Sequence, residues 1–300
     1  MNAGNAKHDY HLADPSPWPF LGALSAFIMV TGAVIGLNGK FDFIGIPPFV
    51  RPWIFGGGAV LTLASLAGWW RDVIVESVRY GEHKPVVKLS FRFSMVLFLV
   101  IETVFFAALT TIYFGSALFG GAAWPPAGLI PPDPWRQPLL ATLVMALSVS
   151  AAVWARRAVC RGDKSGAVLA ISAAAGLSAI FVALLIYGLA HAPFGFGFDG
   201  ARMVPLADPA HVNMVSLIGA PSAIFSSVFF LVLGFFALRS VVGVALWTVA
   251  VFRALAGHLT PERHFGLTAA AWYWYFGAAL WLFLYISIYV MGYALAFSGR

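Results

Sequence analysis

Long uncharged apolar runs, separated by short charged or proline-rich segments, set the pattern of this chain. They occupy residues 20–37, 52–70, 93–118, 138–155, 165–190 and 265–297. A hydrocarbon layer about 30 Å thick is crossed by about 20 residues of helix rising 1.5 Å each, so each run predicts one membrane-spanning helix. Of these six runs only the third holds a charge, Glu102. Residues 212–252 are apolar except for Arg239; that stretch is too long for one upright helix and too short for two with a turn. Residues 224–252 are therefore predicted as the seventh span. The preceding VNMVSLIGAPSA is expected to lie at the membrane surface or to re-enter, broken near Pro221.

Composition agrees: 61% of the 300 residues are hydrophobic and only 10% are charged, against roughly 25% charged in a soluble domain. The first residues lack both a secretory signal and an Arg-rich presequence, so the mature chain is expected to begin there. One cysteine, Cys160, excludes an internal disulfide, a thiolate pair for copper and a cysteine-rich zinc site. A net charge of +6 in a membrane chain points to cytoplasmic loops and anionic lipid heads, and no nucleic-acid partner is expected. Most Lys and Arg fall on one side of the predicted spans: Lys7, the five between Arg71 and Arg92, Arg156, Arg157, Arg161, Lys164, Arg253 and Arg263. The positive-inside rule then places the N-terminus in the cytoplasm and the C-terminus outside. Outside, the proline-rich AAWPPAGLIPPDPWRQP is expected to be a rigid cap, and GFGFDGARMVPLADPAH a more flexible loop.

Several segments, in order and at matching spacing, resemble subunit III of cytochrome c oxidase. They are HDYHLADPSPWPFLGALSAFIM, WWRDVIVES from Trp69, GEHKPVV from Gly81, FLVIETVFF from Phe98, GLIPPDPWRQPLLAT, HFGLTAAAWYW from His264 and WLFLYISIY from Trp281. The resemblance implies an all-α integral membrane protein whose seven transmembrane helices form a two-helix bundle and a five-helix bundle separated by a V-shaped cleft. The division expected is residues 1–72 for the N-terminal segment and helices one and two, 73–92 for a cytoplasmic loop, and 93–300 for the remaining helices. The sequence also departs from the family. Leu185 and Gly188 stand where an amide and a second acid are usual, Phe236 and Arg239 replace two histidines, and Thr268, Tyr275 and Ala278 replace Glu, His and Asp. Val75 replaces an arginine of the tryptophan-rich loop.

None of the seven histidines lies inside a predicted span, so no haem ligand is available in the bundle, and neither a catalytic nor a metal site is expected in this chain. Haem a and copper belong, by resemblance, to partner subunits I and II of an aa3-type oxidase, with subunit I the main contact. The implied role is a non-catalytic core subunit that stabilises the catalytic one, holds phospholipid in its cleft and supports proton uptake or oxygen access. Alternatives are a divergent paralogue acting in assembly or lipid binding, and an autonomous transporter. The membrane expected is a bacterial inner membrane.

Glu102 is the sharpest candidate, because an ionisable group inside a span costs a few kcal/mol and persists where it meets protein, water or a partner. By resemblance it is the family's buried glutamate of the third helix, reactive to carbodiimide and linked to proton movement. The alternative is a neutral carboxyl that only fixes helix packing. Arg239, the other charge deep in a span, is expected to pair with it and hold it ionised. Trp69, Trp70, Arg71, Glu76 and His83 are placed at a membrane interface, where indoles anchor and basic groups meet phosphate heads. The resemblance implies phospholipid binding at Glu76 and His83, joined by Arg253 and His264; Trp69, Trp70 and Arg71 are expected to share in it, the alternative for the tryptophans being an ordinary aromatic belt. Gly32, Gly36, Gly56, Gly57 and Gly58 are expected to permit close packing of the first two helices.

Overall fold

The computed structural model describes residues 16–37, 46, 47, 49–79, 85–119, 124, 131–193, 195–199, 202–206, 221–261 and 264–298; for 37, 73–79, 85–88, 119, 195–199, 202–206, 221–224 and 298 the description is of backbone only. Its helices are α1 (Trp18–Leu37), α2 (Arg51–Arg79), α3 (Pro85–Phe119), α4 (Gln137–Cys160), α5 (Lys164–Ala190), α6 (Pro221–Leu255), α7 (Phe265–Leu284) and α8 (Met291–Ser298). A π-helical turn, Tyr285–Val290, joins α7 to α8, so residues 265–298 run as one continuous rod. Among the described residues seven helices are long and apolar enough to cross a membrane. The protein is a multi-pass membrane protein whose candidate spans are all helical, as the apolar runs predict.

Two segments differ from expectation. Residues 195–199 and 202–206, within the loop expected to be the more flexible one, form a two-stranded hairpin, consistent with the alternation of Gly and Phe in GFGFD. Most of residues 73–92 is helical, because α2 runs to Arg79 and α3 begins at Pro85. The lead-in at 212–220 and residues 122, 123 and 125–130 of the proline-rich cap lie outside the described residues. The described end of that cap is a turn in which Asp133 pairs with Arg136 and accepts from the Trp135 N–H.

The chain divides into two compact units, one of residues 1–94 and 198–203, the other of residues 95–197 and 204–300. In the first, α1 and α2 pack closely. Gly32 and Gly58 are the contact points: a side chain at Gly32 would strike the backbone of Phe55, and one at Gly58 the backbone of Met29. Gly36, Gly56 and Gly57 face open space, so two of the five glycines make the seam. The pair is pinned at one end by Trp18, whose ring lies on Gly68 and whose indole N–H donates to Asp72.

In the second unit α4 and α5 approach through small residues, Ala141, Ala152, Ala155, Ala170 and Ala174 being fully or almost fully buried. Their turn is tight because Gly162 takes a left-handed φ of 73°, which lets the N–H groups of Gly162 and Asp163 cap the end of α4. Asp163 then caps α5 by accepting from the Gly166 N–H at 2.9 Å. Gly257, φ 71°, closes α6 in the same manner. The rod of α7 is tied to α4 by its tryptophans: Trp274 Nε1 donates to Ser148 Oγ at 2.8 Å, and Trp281 Nε1 to Thr142 Oγ1 at 3.0 Å. The residues that give AAAWYW and WLFLY their distinctive pattern are thus the seam between these two helices.

Candidate functional site: a buried ion pair between α3, α6 and α7

From Met95 onward α3 belongs to the second unit, and bulky side chains fill the space between it and its neighbours. Phe105 meets Phe235 edge-on at 5.1 Å, Phe106 meets Phe236 at 6.2 Å, and Phe98 meets Tyr273 at 6.0 Å. Across this space Arg239 reaches Glu102. Its Nε and Nη2 both donate to Glu102 Oε2, at 3.2 and 3.1 Å. Side-chain exposure is 4% for Arg239 and 14% for Glu102, so the pair is screened from solvent on the arginine side.

Three features of α7 complete the setting. Arg239 Nη2 also donates to the Tyr273 carbonyl at 2.6 Å, while the Tyr273 hydroxyl donates to the Arg239 carbonyl at 2.9 Å. The guanidinium carbon lies 4.0 Å from the centre of the Tyr273 ring and 5.3 Å from that of Phe276, within cation–π range. Gly277 supplies the remaining wall: a side chain there would overlap Nη1. Nη1 has no hydrogen-bond partner among the described residues. Tyr273, Phe276 and Gly277 fall at i, i+3 and i+4, one face of the helix. The sequence marks the two charges but not this face, since aromatic and small residues in an apolar run carry no polar signal of their own.

Beside the pair runs a groove of ≈ 270 Å³ bordered by Thr103, Phe106 and Thr110 of α3 and Phe276, Leu280 and Phe283 of α7. Two of the positions that depart from the resemblance, Phe236 and Leu185, close into apolar packing. Phe236 is fully buried and stacks with Trp281 at 5.4 Å, and Leu185 is 1% exposed. Gly188 makes room for Gln137, whose amide Nε2 donates to the Leu184 carbonyl at 2.6 Å. An amide from the start of α4 thus meets the end of α5 where Gly188 leaves room for it.

The predicted interface residues distribute along their helices. Trp69, Trp70 and Arg71 are exposed near the C-terminal part of α2, Trp70 at 65%. Glu76 lies on the same helix with only its backbone described, and His83 lies outside the described residues. In the other unit Arg253 and His264 flank the turn from α6 to α7, with the Arg253 guanidinium over Gly266. His264 Nε2 lies 3.8 Å from Cys160 Sγ. Among the described residues no group of three His, Cys, Asp or Glu side chains is placed to hold a metal.

The family model for cytochrome c oxidase subunit III matches residues 8–201 and 212–293. The chain belongs to the cytochrome c oxidase subunit III family. Relatives described as cytochrome c oxidase subunit 3 include that of Marchantia polymorpha, 36% identical over 296 residues covering 95% of this chain and 97% of the relative. That of Arabidopsis thaliana is 35% identical, covering 95% and 97%, and that of Cyprinus carpio 33% identical, covering 95% and 98%. The subunit III family resemblance thus covers nearly the whole chain. Family members are parts of a larger oxidase, so this chain is a subunit of a multi-subunit assembly.

Proposed function

We propose that the chain is the non-catalytic core subunit III of an aa3-type cytochrome c oxidase. It packs against subunit I, shares the complex with subunit II, and leaves haem a and copper to those partners. The observation that supports this reading is family membership over the whole length. Phospholipid is held by the tryptophan-rich end of α2 (Trp69, Trp70, Arg71, Glu76), by His83 and by the basic α6–α7 turn (Arg253, His264), because indoles and basic groups suit the level of phosphate heads. The complex lies in a bacterial inner membrane with the N-terminus of this chain cytoplasmic and its C-terminus periplasmic, as the basic loops direct. Glu102 and Arg239 act as a fixed charge pair. Any support of proton uptake or oxygen access is then exerted through the shape and field of the bundle rather than by proton exchange at Glu102, since arginine keeps its charge throughout the working pH range.

The test is purification of the tagged chain in mild detergent, with optical spectra and mass spectrometry of what accompanies it. Co-purification of haem a and the haem-bearing and copper-bearing subunits is expected. Recovery of the chain alone from an intact solubilised membrane would reject the oxidase role and favour an assembly paralogue or a transporter.

A further inference from the structure

Arg239 is fixed on every side the structure describes. Nε and Nη2 bind Glu102, Nη2 also binds the Tyr273 carbonyl, the Tyr273 ring covers the guanidinium, and Nη1 lies against the bare Cα of Gly277. A methyl group on Gly277 would overlap Nη1 and come within 3.0 Å of the guanidinium carbon. Gly277 is buried within α7, whose neighbour Trp274 is tied to Ser148 and whose Trp281 is tied to Thr142, so the helix is the less movable partner. The guanidinium, at the end of a flexible side chain, is the group that gives way. Displacing it takes Nε and Nη2 off the single carboxylate oxygen they share.

We propose that Gly277 is a positioning residue for the ion pair: its missing side chain is what allows Arg239 to hold Glu102 as a carboxylate that does not exchange protons. The arginine at 239 and the glycine at 277 form one unit, since an arginine here needs a neighbour without a Cβ. An unpartnered carboxyl among apolar side chains takes the neutral, protonated form, because charge without a counter-ion is costly in a low-dielectric interior. The proposal rests on the ionised state of Glu102 stated above, and the first comparison below tests that state separately.

Infrared difference spectra of the intact complex in nanodiscs at neutral pH, with isotope-labelled glutamate, report the protonated carboxyl band directly. Comparing the unaltered protein with Glu102→Gln should reveal no protonated band from Glu102; such a band would reject the ionised pair itself. Gly277→Ala should create the band, and adding Glu102→Gln should remove it. Gly234→Ala, at an α6 glycine with open space around it, should leave the spectrum unchanged. A Gly277→Ala spectrum without the band, beside an ionised unaltered protein, overturns the positioning role. If Gly277→Ala fails to accumulate, the same substitution is made with Glu102→Leu and Arg239→Leu. Normal accumulation of that triple variant supports the proposal, and its failure shows that Gly277 is needed for packing alone and overturns it.

Discussion

Arg239 and Glu102 sit far apart in sequence and are joined by bonds to one carboxylate oxygen. Removing one member leaves the other buried without its counter-ion, a lone carboxyl then having to take up a proton; breaking such a pair typically costs about 3–5 kcal/mol, whereas removing both leaves no charge to desolvate. Arg239→Leu is therefore expected to lower unfolding stability in detergent more than the double change Glu102→Leu with Arg239→Leu, and a double-mutant cycle measures the difference. At Gln137 a smaller effect is expected. Its amide bond to the Leu184 carbonyl contributes about 1 kcal/mol, so Gln137→Ala should lower the midpoint of thermal unfolding modestly, with little change in subunit content of the complex. Sequence reading finds the two charges because they are the exceptions in apolar runs. It misses Tyr273 and Gly277 because what they contribute is a carbonyl, a ring face and an empty volume, none of which has a compositional mark.

Among the elements, the spans are legible because burial in lipid requires unbroken apolar helices of defined length, and that requirement is written residue by residue. The contacts between them are less legible. Gly32, Gly36, Gly56, Gly57 and Gly58 look equivalent in sequence, yet of these five only Gly32 and Gly58 meet the other helix. Gly58→Val should force the two helices apart at a cost of about 1–3 kcal/mol by overpacking, while Gly57→Val, facing open space, should be tolerated. Limited proteolysis of detergent-solubilised protein at rising temperature separates the two outcomes. The π-helical turn between α7 and α8 is likewise invisible in the run of apolar residues. Within it the Ser287 carbonyl accepts from the Tyr113 hydroxyl at 3.4 Å, a contact with α3 that depends on where the extra residue of the turn falls.

At the scale of the whole molecule, membrane orientation follows from charge counts and is testable with a residue the chain already carries. Cys160, its sole cysteine, is exposed at the end of α4. If the basic loops are cytoplasmic, a membrane-impermeant maleimide should label Cys160 in inside-out vesicles and not in intact spheroplasts. Labelling of intact spheroplasts alone would reverse the topology.

By itself the sequence determined the family, the seven spans and the two intramembrane charges, because transfer into lipid acts on each residue separately and leaves a local record. The tertiary structure decided which helix faces meet. It placed Arg239 over Gly277 and under Tyr273, set Gln137 in the space left by Gly188, and chose two glycines of five for the α1–α2 seam. Those outcomes depend on the shapes of side chains far apart in sequence filling one volume, and no single segment holds that information.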